Sequence, residues 1–370
     1  MAMVRSCPLS LSLPVFKNLQ LLRAVAALMV VLFHLRGIEL KYGQGPALLD
    51  APARYADAGV DLFFVLSGFV MGTLLTARPA GGNAALGFLA RRAWRVLPPY
   101  WIYTTVVVVL MLLFPGQVNS SYSDQSILAS YLLWPHDQLP VLTVGWTLIH
   151  EAYFYLAVSV VIAFLPPRLV TRSLLLWAAI IVGCTLAAPP PGDAGLRLLT
   201  NPLTLEFIAG ALLGLHWRAI PTSAGMPILV FGVAALLWAM GFMPEEGPGA
   251  MSQPIRVAIF GAASLAILAG AVLLEKREAP ASILRRLMER VGDSSYSLYL
   301  SHIFVISALG RLWHATGMVH TPAQHAVFLI FSVLACCLCG WLSWIGLERP
   351  LLALGQRFLR YRAATQRCMP

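Results

Sequence analysis

Charge is scarce in this chain of 370 residues. Asp, Glu, Lys and Arg together make up 11% of it, where a soluble domain carries about a quarter. With a mean hydropathy of +0.76 and 59% hydrophobic residues, that scarcity excludes an ordinary soluble protein. Cysteine is scarce too: six residues, too few and too scattered for a disulfide framework. Cys336, Cys337 and Cys339 fall inside one apolar run and read as small packing residues. No His/Cys cluster has metal-ligand spacing, so no metal is expected. No internal repeat is visible, which disfavours transporter folds built from two related halves. No basic run or basic helix lies in a soluble segment. The net charge of +10 therefore does not call for nucleic acid. The opening residues, MAMVRSCPLSLSLPVFKNLQ, are broken by prolines and lack a small-residue cleavage site, so no signal peptide is expected.

What is abundant is apolar sequence. Ten segments approach the roughly 20 residues needed to span a bilayer: 20–38, 59–76, 96–115, 147–165, 172–188, 198–217, 226–243, 254–274, 293–313 and 324–347. The fold expected is all-α: a polytopic integral membrane protein of about ten transmembrane helices. One domain should cover 1–370, with a core over 17–352 and a short basic tail over 353–370. Basic residues set the orientation. Arg5 and Lys17 precede the first span, and Arg78, Arg91, Arg92 and Arg95 follow the second. Lys276, Arg277, Arg285, Arg286 and Arg290 follow the eighth, and Arg349, Arg357, Arg360, Arg362 and Arg367 the tenth. The loop 116–146 and the loop MPEEGPG have no Lys or Arg, while Arg36, Lys41 and Arg54 make the first outer loop an exception. Both termini are expected in the cytoplasm, and the positive charge reads as topology.

Ionisable residues inside apolar spans must face the protein interior or a partner. In LRAVAALMVVLFHL, Arg23 and His34 are eleven positions apart and so share one helix face. They are separated by about 16 Å along the axis. Arg23 is either a snorkelling arginine or a functional one. His34 is either an interfacial histidine or a proton acceptor, since imidazole changes charge near neutral pH. GVDLFFVLSGF places Asp61 near the outer end of the second span, as a helix cap or a site residue. Its Ser67–Gly68 pair suits close helix packing. In RRAWRVLPPYW, Arg91, Arg92 and Arg95 can present one cluster, read either as topology or as a phosphate clamp. The double proline there fits the first turn of the next helix.

Glu151, in GWTLIHEAYFYL, sits about one turn inside the outer boundary at a depth similar to His34. A Glu151–His34 pair would orient the imidazole and raise its basicity. His150 points away from that face and receives no role. In SYSLYLSHIF, Ser295, Tyr299 and His302 form a polar stripe, lining a cavity or hydrogen-bonding as a packing cluster. Glu206 is a further intramembrane carboxylate, beside a small-residue face.

These motifs, with ERP after the last span, resemble in order and spacing the membrane-bound acyltransferase family 3. The form is most similar to bacterial exopolysaccharide O-acetyltransferases. The resemblance covers residues 17–352 and leaves about 20 after the last span, too few for the esterase-like domain some members append. It implies a multi-pass enzyme of the bacterial inner membrane. Such an enzyme takes an acyl group, typically acetyl, from cytoplasmic acetyl-CoA and passes it to a hydroxyl of a polysaccharide or lipid-linked glycan. It implies catalytic roles for His34, Glu151 and Arg23. Donor binding would fall to Arg91, Arg92, Arg95 and Arg23, with Tyr299 and His302 beside the donor. Ser67 has no base at suitable spacing in the sequence, so direct transfer is expected over an acyl-enzyme. The rival class is a proton-coupled transporter or glycan flippase, which would also use buried Arg, His and Glu.

Overall fold

The computed structural model describes residues 16–76, 81–116, 118, 125–187, 192–243, 251–275 and 282–367. Several charges used above to orient the chain lie outside these residues: Arg5, Arg78, Lys276, Arg277, and the side chains of Arg360, Arg362 and Arg367. Most of the loop MPEEGPG does too.

The described chain is helical. The first half holds α1 (Lys17–Tyr42), α2 (Gly59–Leu75), α3 (Gly82–Leu113), the short α4 (Ile127–Leu132), α5 (Trp146–Phe164) and α6 (Pro167–Ala187). Then come α7 (Ala194–Leu199), α8 (Thr204–His216), α9 (Gly225–Phe242), α10 (Gln253–Arg256) and α11 (Ala262–Leu273). Last are α12 (Ile283–Asp293), α13 (Ser295–Thr316), α14 (Pro322–Ser343) and α15 (Arg349–Arg367). Nine helical segments among the described residues are long and apolar enough to cross a membrane. The protein is an all-α, multi-pass membrane protein. The expected ninth span, 293–313, is not among these nine; it falls on α13, a helix of 22 residues. Its serines, tyrosine and histidine keep it out of the apolar set.

Two boundaries differ from expectation. α3 starts at Gly82 rather than near 96, so the arginine cluster lies within the helix and not before it. Pro98 and Pro99 sit in its interior, not in its first turn. They leave the carbonyls of Trp94 and Arg95 without their helical donors. The final span also continues past 347. A π-turn at Trp344–Glu348 joins α14 to α15, and one segment runs over Pro322–Leu359. α14 begins with a capping box in which Thr321 and Gln324 exchange hydrogen bonds around Pro322.

Glycine seams set the packing. Gly68 and Gly72 of α2 lie against Phe207 and Ala211 of α8. From the other side, Gly210 and Gly214 lie against the Val65, Phe69 and Gly72 backbone. Two small-xxx-small pairs thus face each other, which lets backbones approach closely in a bilayer. α1 and α2 run antiparallel, with Gly59 against Ala26, Met29 and Val30. That register sets His34 near the 3₁₀ turn Ala56–Ala58 and Arg23 near Ser67, three turns away.

Candidate active site

α1, α2, α3, α5 and α13 enclose a cavity of about 320 Å³. Most of its wall is apolar, from residues such as Leu19, Phe63, Phe64 and Met71. Its polar wall holds Arg23, Arg92, Arg95, Gln20, Ser67 and Glu151. None of the three arginines forms an ion pair among the described residues. Arg92 lies over the rings of Tyr155 and Phe88, 5.5 and 5.9 Å from their centroids, a cation–π arrangement. Arg91 is exposed and stays off the cavity wall. It therefore stands apart from the cluster it was expected to join.

The register of α3 on α5 explains how Glu151 arrives here. Tyr100 packs on Gly145 and Phe88 on Tyr155, so the helices are antiparallel and Arg92 faces the level of Glu151. Glu151 Oε1 accepts hydrogen bonds from Ser67 Oγ at 3.0 Å and Tyr155 Oη at 2.5 Å. Its charge acts on both Arg23 and Arg92. The expected Glu151–His34 pair is not formed. The sequence estimate put both near the outer boundary, but the fold sets Glu151 at the depth of the arginines. Ser67 likewise differs from expectation. Gly68 makes the close approach to α8, while Ser67 faces a carboxylate supplied by α5.

His34 pairs instead with His302, Nδ1 to Nε2 at 3.2 Å, with ring centroids 5.0 Å apart. Neither lines the cavity, so the structure does not bring His302 to the place expected for donor contact. Tyr299 and Ser295 do reach the wall. The Tyr299 hydroxyl donates to the Val144 carbonyl at 2.9 Å and bonds Thr147 at 2.8 Å. The Tyr299 ring stands 6.1 Å from Phe63 and 6.0 Å from His302. The histidine pair therefore begins just behind the cavity wall.

Several buried groups escaped the sequence reading, among them the Glu39–His325 pair at 2.7 Å. Arg256 donates to Asp57 at 2.5 Å and to both Asp61 oxygens at 3.1 and 2.5 Å. Asp61 is thus an ion-pair partner and not a helix cap. Glu206 adjoins this group and packs against Gly261, in the π-turn Val257–Gly261. Arg256 could have been read from SQPIRVAIF as an arginine entering an apolar run. Glu348, the glutamate of ERP, accepts from Ser297 at 2.6 Å, is buried, and acts on Arg23. Among the described residues, no three His, Cys, Asp or Glu side chains are placed to hold a metal ion.

Helical spans enclosing an arginine-lined cavity with a carboxylate in its wall fit the family that the motifs resemble. Residues 16–344 match the Acyltransferase domain of acyltransferase family 3. The chain belongs to that family and is an acyltransferase that moves groups other than aminoacyl groups. Among its relatives, the chain is similar to the exopolysaccharide production protein ExoZ of Rhizobium meliloti. They are 33% identical over 309 residues, 81% of this chain and 90% of ExoZ. It is also similar to the O-acetyltransferase OatA of Staphylococcus aureus, 24% identical over 90% of this chain and 57% of OatA. No solved structure matches the chain.

Proposed function

We propose that this protein is an O-acetyltransferase of the bacterial inner membrane. It moves acetyl from cytoplasmic acetyl-CoA to a hydroxyl of an exopolysaccharide or lipid-linked glycan. The observation that carries the reading is the cavity whose wall presents Arg23, Arg92 and Arg95 with no ion pair among the described residues. Planar guanidinium forks suit phosphate oxygens, and coenzyme A is rich in phosphate. The apolar remainder of the wall suits the pantetheine arm. Phosphates at the arginines leave about 16 Å of helix axis to His34, a span the arm covers. The thioester then lies beyond Phe63 and Tyr299.

His34 is the general base. Its Nδ1 faces the Val30 carbonyl at 2.9 Å. A carbonyl only accepts, so Nδ1 carries the proton and Nε2 keeps its lone pair. Nε2 takes the proton of the acceptor hydroxyl as that oxygen attacks the thioester carbon. The C–S bond breaks, the leaving sulfur takes that proton from the His34 imidazolium, and the thiol forms with its phosphates still at the arginines. Transfer is direct. The Ser67 hydroxyl is engaged by Glu151 and lies three turns of α1 away from the base, too far to hand an acyl group to a hydroxyl activated there. Glu151 holds Ser67 and Tyr155, and through Tyr155 the aromatic seat of Arg92.

The test is purified protein with acetyl-CoA and cell-surface polysaccharide. Thiol release should accompany a gain of about 42 mass units per modified unit, the mass an acetyl ester adds when a thioester is the donor. Arg95→Gln should raise the KM for acetyl-CoA more than that for the acceptor. His34→Ala should lose at least about two decades in kcat, with donor binding by calorimetry unchanged. Glycan moved across vesicles without thiol release would mark a transporter and sink the reading.

A further inference from the structure

We infer that His302 is the positioning residue of His34, and not a donor-binding group. The inference rests on the reading of His34 as the base. Three contacts carry it. His34 Nδ1 lies 2.9 Å from the Val30 carbonyl, His302 Nδ1 lies 3.2 Å from the Leu298 carbonyl, and His302 Nε2 lies 3.2 Å from His34 Nδ1.

The proton assignment follows by elimination. Each carbonyl can only accept, so each Nδ1 carries a hydrogen. A neutral His302 with its proton on Nδ1 has a lone pair on Nε2. That lone pair faces the His34 Nδ1–H, which is shared between His302 and Val30. The opposite assignment, with a proton on His302 Nε2, would set two lone pairs against two carbonyl oxygens. The arrangement leaves His34 Nε2 as the nitrogen able to receive a proton.

Burial separates the roles. His302 has no exposed surface, while His34 is only partly buried. The reachable ring is the one that reacts, and the sealed ring stands behind it. When Nε2 takes up the acceptor's proton, His34 becomes an imidazolium. Its Nδ1–H bond to the His302 lone pair then becomes charge-assisted, and such bonds are roughly twice as strong as neutral ones. Asp57, in the 3₁₀ turn Ala56–Ala58 at the level of His34, is held by Arg256 at 2.5 Å. His302 thus takes the place that a carboxylate holds in a serine-protease triad, with Asp57 as the more distant counter-charge. Glu151 has no part in the arrangement.

The experiment compares His302→Phe and His302→Gln in the purified enzyme. Phenylalanine fills the space and removes the lone pair. Glutamine can return a carbonyl oxygen close to where Nε2 stood. His302→Phe should lower kcat by at least about tenfold, a share of the 10²–10⁴ that a positioned base contributes. The KM for acetyl-CoA and its calorimetric affinity should hold. His302→Gln should recover most of the loss, and His302→Asn, whose shorter chain cannot reach, should not. In a His34→Ala background, His302→Phe should cost almost nothing more, because the two act as a unit. A wild-type kcat for His302→Phe overturns the inference, as does a defect confined to donor KM. A loss of equal size with and without His34 would also overturn it. If His302→Phe does not fold, the Gln–Asn comparison decides alone. A near-normal His34→Ala enzyme would instead refute the base itself, a separate failure.

Discussion

Glu151 shows how much a neighbour decides about a charged side chain. Its carboxylate is engaged by one serine and one tyrosine, and the cationic charges near it are Arg23 and Arg92. His34 lies three turns along α1 from that level. Groups more than about 7–10 Å apart with no shared partner act independently. The losses from Glu151→Gln and His34→Ala should therefore multiply, to within about twofold. A double-mutant cycle on kcat/KM checks this, and a double variant no worse than His34→Ala alone would contradict the geometry. At this scale the sequence marked the charged and polar residues that the fold buries in or beside its spans, and was a poor guide to their partners. An arginine, a histidine or a glutamate in an apolar run announces itself through the cost of burying it. Which of them meet depends on the register between helices far apart in the chain, such as Tyr100 on Gly145, and no local pattern carries that.

Among the elements, α2 is the most constrained. One side lies against α8 through Gly68 and Gly72, and its start is pressed on α1 at Gly59. A Cβ added at Gly68 would lie 2.0 Å from the Phe207 carbonyl oxygen, backbone that cannot swing aside. At Gly37 it would meet nothing within 4 Å. Gly68→Ala should cost about 1–3 kcal/mol or more through overpacking. Gly37→Ala should be neutral or gain up to about 1 kcal/mol from helix propensity. Thermal unfolding of the two variants in one detergent makes the comparison, and equal shifts would remove the seam's importance. α2 and α8 fall within the apolar spans expected over 59–76 and 198–217, and the Ser67–Gly68 pair and the small-residue face beside Glu206 suited close packing. The extent of α3 was not. RRAWRVLPPYW reads as a loop entering a helix, because two prolines look like a start. Packing on α5 and α15 instead carries a helix through them, with Trp94 against Gly355.

For the molecule as a whole, composition alone set the class: few charges, long apolar runs and basic residues gathered in alternate loops. Orientation is the consequence still to be measured. The positive-inside pattern puts Arg286, exposed on α12, in the cytoplasm and Gln138, exposed between α4 and α5, outside. Single cysteines at these two positions, in a chain otherwise free of cysteine, should respond differently to a maleimide that cannot cross membranes. In intact cells Gln138→Cys should label and Arg286→Cys should not, and the reverse pattern would invert the topology. The pieces that no span count could reveal are the long-range ones. They are the three-residue ion pair that ties α10 to the turn before α2, and the π-turn that carries Glu348 toward Arg23.

The guanidinium groups of the cavity, which form no ion pair among the described residues, have a consequence for the timing of the proposed catalytic cycle. On the proposed reading they would grip the part of the donor that the reaction leaves untouched. Binding energy spent on an unchanging group favours substrate and product alike, and does not lower the chemical barrier. The spent thiol would then leave the site with nearly the same reluctance as the loaded thioester. Three like charges in a low-dielectric pocket also repel one another once it empties. Turnover in such an enzyme is paced by the departure of the carrier as much as by the making of the ester. On the proposed reading the cell's ratio of loaded to unloaded carrier, more than its total, would then set how densely the surface glycan is decorated.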